Sequence, residues 1–541
     1  MKTTHTPTAS GPPGTASPAA PGLADYDVVV IGGAFSGSAT ATLLKRSRPE
    51  ARVLVVESQE SFPRKVGEAT VEISGLFLHR ILGLYDELSR EHLPKHGLRF
   101  WFTDSPNRPL EEMSEVGPSR LPSLPSFQLD RSKLDETILG RAVQSGCDVL
   151  RPARVSSIEH EWPTSRIRIE GADGTEREVT ARWVIDGSGR HQFIARRKRL
   201  RRRTEGHPTA ALWGRWKGVQ DLDGLASRGS EVRAPRLPEL SCSRRLATNH
   251  FCGYGWWSWS IPLSGGETSI GLVYNKDLFD LPGDGSKGEN YEAFLRSRAG
   301  LKELLASAEL MEEDFHSFNH LPFRSEQYMG RGWALVGDAA SFIDPYYSPG
   351  LDHAAISVYA TVRLIEDDLA GRLDGDALSE RIEAHNEKFE LSYHRWLDAL
   401  YRGKYELMGD AELTVAAFLM DTALYYMGVV TPIHKDLEAL GNPMFGLPIP
   451  QSKIAYRILR GYSRRLVRLA RFRRQVGLYG RRNARWRLAA KSPGLGTASL
   501  GMLRQGVGLW LKAELQYLGH RLRRGGVDLS EPVPRAVASP P

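Results

Sequence analysis

The junction between one short strand and the turn after it restricts this chain's fold more than any other feature. Asp27-Val28-Val29-Val30-Ile31 is a β-branched run, the mark of a strand buried on both faces. It enters Gly32-Gly33-Ala34-Phe35-Ser36-Gly37, and a small-residue helical stretch follows over Ser38–Leu44. A second apolar run, Arg52-Val53-Leu54-Val55-Val56, ends at Glu57, 20 residues past Gly37. Strand, glycine turn, helix, strand and terminal acid together predict a Rossmann-like dinucleotide-binding βαβ unit. Gly32 and Gly33 allow the tight turn, and Gly37 allows helix and strand to pack closely. Open N–H groups near Ser36 face a diphosphate, and Glu57 accepts from ribose hydroxyls. Ala34 stands where the fingerprint has its middle glycine and adds little bulk.

At 541 residues the chain exceeds one ordinary domain core, and 41% hydrophobic with 25% charged residues is globular composition. Three cysteines, Cys147, Cys242 and Cys252, form no CxxC pair. Neither a metal site nor a disulfide framework is expected, and a cytoplasmic setting fits. Residues 1–24 are rich in Pro, Ala, Thr, Ser and Gly and predict a disordered tail. Leu413–Val430 comes nearest to a membrane span, but it carries Asp421 and predicts a buried helix.

Two later strands narrow the dinucleotide. Trp183-Val184-Ile185-Asp186 leads into Gly187-Ser188-Gly189-Arg190, and Trp333-Ala334-Leu335-Val336 leads into Gly337-Asp338-Ala339-Ala340. The second resembles the ribityl-binding motif of the large FAD-dependent monooxygenase and halogenase superfamily. The resemblance implies that Gly337 and Asp338 meet the flavin ribityl chain. Gln128-Leu129-Asp130-Arg131 also resembles that superfamily, whose arginine contacts FAD, so Arg131 is an expected cofactor contact. Arg131 and Asp135 equally make a plain i,i+4 helix pair.

Three segments resemble the flavin-dependent halogenases specifically, the tryptophan, phenol and pyrrole halogenase-like FAD oxidoreductases. They are Gly67-Glu68-Ala69-Thr70, the WxWxIP pattern at Trp257-Ser258-Trp259-Ser260-Ile261-Pro262, and Lys95 standing five residues before Phe100. In that family reduced FAD, FADH2, reacts with O2 to a flavin hydroperoxide, and halide is oxidised to hypohalous acid. The acid is relayed to a lysine beside the substrate. The resemblance implies that role for Lys95 and a tunnel lined by Trp257, Trp259, Ile261 and Pro262. Strand alternation places both tryptophans on one sheet face, which a plain core aromatic ladder also explains. Asp344-Pro345-Tyr346-Tyr347-Ser348-Pro349-Gly350 resembles the family's halide loop beside the flavin, where backbone N–H groups hold the anion. Pro349 has no N–H, so Ser348 and Gly350 are the expected donors. Tyr347 replaces a glutamate of the tryptophan halogenases, which argues against free tryptophan as substrate. Asp352 and His353 are acid–base candidates, Asp352 equally a helix-start charge.

Beyond about residue 375 leucine and arginine dominate. Between Lys453 and Arg487 there is no Asp or Glu, and apolar residues recur at helical spacing, a basic amphipathic helix. It fits a solvated face, then an acidic partner such as a carrier protein. Peripheral membrane contact is less favoured and nucleic acid is not expected. The expected fold is therefore α/β. A Rossmann-like FAD-binding domain (25–375; parts at about 25–90, 121–205 and 325–375) is interleaved with a mixed β-sheet substrate region (about 91–120 and 206–324). A C-terminal helical region (376–524) and a disordered tail (525–541) follow. The expected activity is FADH2-dependent halogenation of an electron-rich aromatic of phenol or pyrrole type, free or tethered to an acyl or peptidyl carrier protein. A separate flavin reductase is a required partner, since no second nucleotide fingerprint is present. The alternatives are an FAD monooxygenase or oxidoreductase without halide chemistry, and a non-catalytic FAD-binding or carrier-docking protein.

Overall fold

The computed structural model describes residues 24–118, 120–227 and 242–524. The tails expected to be disordered, 1–24 and 525–541, lie outside the described residues apart from Ala24. The chain crosses twice between two sheets before it adds a cap. It begins with β1 (Tyr26–Ile31), α1 (Phe35–Ser47) and β2 (Val53–Val56) in the first sheet. It crosses to the second for β3 (Leu98–Phe102) and β4 (Ser114–Pro118), then returns with α2 (Arg131–Gln144) and β5 (Asp148–Leu150). The meander β6 (Ala153–Glu159), β7 (Ser165–Gly171) and β8 (Glu176–Asp186) completes that return. The second crossing supplies β9 (Thr209–Lys217), β10 (Thr248–Gly253), β11 (Trp256–Pro262) and β12 (Thr268–Asn275). The chain comes back a last time for β13 (Trp333–Leu335) and α3 (Gly350–Leu369).

The first sheet runs β13-β8-β1-β2-β5, all parallel, with β7 and β6 continuing antiparallel from β8. Alternation along β1 explains its continuous apolar run. Val28 and Val30 face one core with Ala39, Leu134 and Ile138, while Val29 and Ile31 face another with Ala153, Val155 and Phe193. The helical layer on one face and the β6–β7 meander on the other thus each find valine on their own side, and α1 lies against α2 and α3.

The second sheet is mixed and runs β9-β12-β11-β10-β3-β4, with parallel pairing only between β10 and β3 inside that stretch. The cap comprises α4 (Gly375–Trp396), α5 (Ala411–Tyr425), α6 (Pro450–Gln475) and α7 (Leu500–Arg524). It differs from an all-helical expectation in one respect: β14 (Arg487–Ala490) pairs parallel with β4 and extends the second sheet. Among the described residues, one helix, Ala411–Lys435, is long and apolar enough to cross a membrane. Its most apolar window is 72% buried inside the protein, where it forms the inner wall of the cap.

Candidate active site

The turn after β1 is shaped by backbone proximity. Gly32 has φ +90°, which favours glycine, and a Cβ on Gly37 would overlap the Gly32 carbonyl oxygen. Glu57 Oε2 accepts from the Gly33 N–H at 2.6 Å and Oε1 from the Gln59 N–H at 2.8 Å. The acid read as a ribose acceptor thus also ties the turn to β2, with lone pairs left for a hydroxyl. At the N-terminus of α1 the Phe35 N–H donates to Asp135 Oδ1 at 3.1 Å, and Ala34, Phe35 and Ser36 line a cleft of about 1260 Å³. Gly32, Glu57, Arg131 and Asp338 line the same cleft. Gly33, Gly37 and Gly337 stand behind its wall; the Gly337 N–H donates to Ser357 Oγ at 2.9 Å. Arg131 donates to both Asp135 oxygens at 3.0 and 3.2 Å and to the Val66 carbonyl at 3.2 Å. The helix pair and the cleft contact therefore coexist. Burial pushes the Asp338 carboxyl up, against the pull of Arg190 and Arg131. A helix start facing the cleft, a close-approach glycine turn and a cleft of this volume together fit FAD.

The far end of the cleft is aromatic. Trp257, Trp259 and Ile261 project from one face of β11 and line it, whereas Pro262 pairs with Thr268 and does not. The two indoles are 5.8 Å apart; Trp257 Nε1 donates to Tyr405 Oη and Trp259 Nε1 to Ser269 Oγ, each at 3.1 Å. His250 stacks between Phe100 and Trp257, and its pKa is lowered to about 3 by burial and by nearby Lys95.

The loop before α3 departs from expectation. Tyr347 and Ser348 adopt φ +74° and +59°, and this curl carries the Ser348 N–H to the Pro345 carbonyl at 2.9 Å. The Ser348 amide is therefore engaged within the loop and is not an anion donor. With Pro349 at the helix cap, the amides of Gly350 and Leu351 open α3 without intrahelical acceptors, and both residues line the cleft. Gly350 and Leu351, rather than Ser348, therefore present free loop-end amides beside the cleft.

Lys95 lies on the other side of this loop, in an inner cavity of about 140 Å³. Tyr347 and Pro349 face the inner cavity, Ser348 and Gly350 the cleft, so four consecutive residues form the dividing wall. Lys95 follows the short strand Leu93–Pro94, and its backbone N–H donates to Ser126 O at 2.8 Å. Its Nζ donates to the Thr70 carbonyl at 2.7 Å, and burial lowers its pKa to about 8 while Glu72 and Asp352 oppose the drop. Asp352 accepts from Tyr425 Oη at 2.6 Å and from the Ser74 N–H at 2.7 Å, and burial raises its pKa to about 6. His353 is lowered to about 4 by burial, so it is neutral at pH 7. Sequence reading missed Glu72, Asp421, Tyr425 and Tyr426, which line the same cavity. For Asp421, Tyr425 and Tyr426 the signal was an acid and a tyrosine pair inside the apolar helix Ala411–Lys435, where polar groups need a reason.

Comparison with known proteins agrees with this layout. The FAD binding domain family matches residues 25–228, and the tryptophan halogenase family matches residues 232–398. A flavin-dependent halogenase of Dictyostelium discoideum is 28% identical over 396 residues, covering 67% of this chain and 63% of the relative. The chain is similar to the flavin-dependent halogenases. The chain thus carries an FAD-binding domain. It is also 28% identical over 402 residues to the sulochrin halogenase of Aspergillus terreus, covering 68% of each chain. It spans just under two thirds of the slime-mould relative and slightly more of the fungal one. Its fold resembles the solved halogenase PltM in complex with phloroglucinol and FAD, at TM-score 0.67 and 19% identity, over 94% of this chain and 99% of that one. The flavin-dependent brominase Bmp2, as a triple mutant, superposes at TM-score 0.59 and 22% identity, over 81% and 100% of the two chains.

Proposed function

We propose that this protein is an FADH2-dependent halogenase of a phenolic aromatic, supplied with reduced flavin by a separate reductase. One observation carries the reading: a single loop, 347–350, is the shared wall between the cofactor cleft and the cavity that holds Lys95. Bound reduced FAD, with O2, supplies the oxidising power that turns halide into hypohalous acid. The chain's own residues do the rest. The Gly350 and Leu351 amides hold the halide at the cleft end of α3. Trp257, Trp259 and Ile261 keep that end apolar and exclude water. The Lys95 ammonium donates to the oxygen of hypohalous acid on the substrate side. Asp352, held in place by the Tyr425 hydroxyl, accepts the proton that the ring or its hydroxyl gives up. A phenol hydroxyl fits the Asp352 acceptor better than a pyrrole does, and the tyrosines and phenylalanine around the cavity suit a flat ring.

The second reading, an FAD monooxygenase, is favoured by the loss of two loop amides, at Ser348 and Pro349. Incubation with reduced FAD, O2, bromide and a phenol, free and carrier-bound, separates them. A brominated phenol is expected. A hydroxylated product that ignores bromide overturns the proposal in favour of the second reading, and FAD uptake without turnover of any phenol or pyrrole overturns both.

A further inference from the structure

The dividing loop is held in a backbone shape that side chains disfavour. Tyr347 and Ser348 are consecutive non-glycine residues at positive φ, a conformation that persists only where the surroundings over-determine it. The restraint comes from the cap. The Tyr347 ring is 4.2 Å from Tyr346 and 6.1 Å from Phe418, and its hydroxyl donates to Asp421 Oδ2 at 3.1 Å. Burial pushes the Tyr347 hydroxyl well above its ordinary pKa, so it stays protonated and remains the donor.

Asp421 is itself buried, on the apolar helix α5. Its other partners are Lys404 Nζ at 2.7 Å and the Tyr462 hydroxyl. Lys404 is equally buried and also lies 5.6 Å from the Tyr347 ring centre. An isolated carboxylate on such a helix is costly; this one is offset by one cation and two hydroxyls. α6 through Tyr462 and the turn carrying Lys404 thus converge on Asp421 of α5, which in turn holds Tyr347 of the loop.

We infer that Asp421 is a positioning residue for the anion site: through the Tyr347 hydroxyl it pins the left-handed turn that aims the Gly350 and Leu351 amides at the cleft. The inference rests on the halogenase reading. It makes the cap, which lies on the substrate side, a determinant of halide affinity on the flavin side. Neither Asp421 nor Tyr347 touches the halide.

Tyr347→Phe tests it, because it removes one oxygen and leaves Asp421 paired with Lys404 and Tyr462. The expected result is a halide KM raised about fivefold, the worth of one hydrogen bond, with a smaller change in turnover at saturating bromide. Bromide titrated into the FAD-loaded protein without turnover, followed by flavin absorbance, is expected to show the same shift in half-saturation. Asp421→Asn is expected to raise the halide KM further, and Asp421→Glu to restore part of it. An unchanged bromide midpoint in Tyr347→Phe overturns the inference, as does a parallel fall in every kinetic constant and in melting temperature. A wild-type protein that brominates nothing sinks the halogenase reading instead, and is recognised before any variant is compared.

Discussion

Lys95 and Asp352 titrate toward each other across one small cavity. Lys95 is brought down to about 8 and Asp352 up to about 6, in both cases chiefly by burial. If Lys95 acts as an ammonium donor and Asp352 as a base, both are in the working form only between those values. Activity should rise with pH as Asp352 loses its proton near 6 and fall as Lys95 loses its own near 8. A bell-shaped profile of kcat/KM for the phenol is expected, with its limbs near those pH values. A rate that climbs through pH 8 would instead make the free amine the reacting form. Lys95→Ala should lower product formation at least about a hundredfold. FAD absorbance on titration should not change, because Lys95 is absent from the cofactor cleft.

Among the elements, the β1–α1 junction is the least forgiving. A methyl group at Gly37 meets the Gly32 carbonyl oxygen, and Gly187 presses on Gly37 from the neighbouring strand end. Gly37→Ala should cost at least about 3 kcal/mol and yield protein that takes up no FAD, measured by thermal melting and by flavin titration. This junction was legible in the sequence because strand, turn and helix are contiguous and each residue type has a local reason. The single face shared by Trp257, Trp259 and Ile261 was legible for the same reason, since alternation follows from strand geometry alone. The dividing loop was not. The Ser348 amide finds the Pro345 carbonyl only because two non-glycine residues turn left-handed, and what holds them there is Asp421, 74 positions along from Tyr347. The partnership of Asp352 with Tyr425 is equally remote, at 73 positions. Strand β14 escaped notice because Arg-Leu-Ala-Ala neither alternates nor carries β-branched residues; it becomes a strand only because the edge of β4 needs a partner.

At the scale of the whole molecule, the cap closes the inner cavity and also completes the second sheet. Gly506 on α7 packs against Ala416 and Met420 of α5, while Arg465 of α6 pairs with Glu514 of α7 at 2.6 Å. Ending the chain after residue 475 removes β14 and α7 and exposes that packing. Such protein should melt at least about 10 °C lower and make no halogenated product. It should still take up FAD, because every residue assigned to the cofactor lies before 351. The contrast in how the two halves are threaded has a practical side. The cofactor half is stitched from three separate stretches, so no two cuts excise it, whereas the cap is one uninterrupted stretch hinged after α3. Chimaeras that retarget such a catalyst to other aromatics are therefore best made by exchanging everything downstream of that hinge, provided the incoming piece brings its own edge strand and its own anchor for Tyr347.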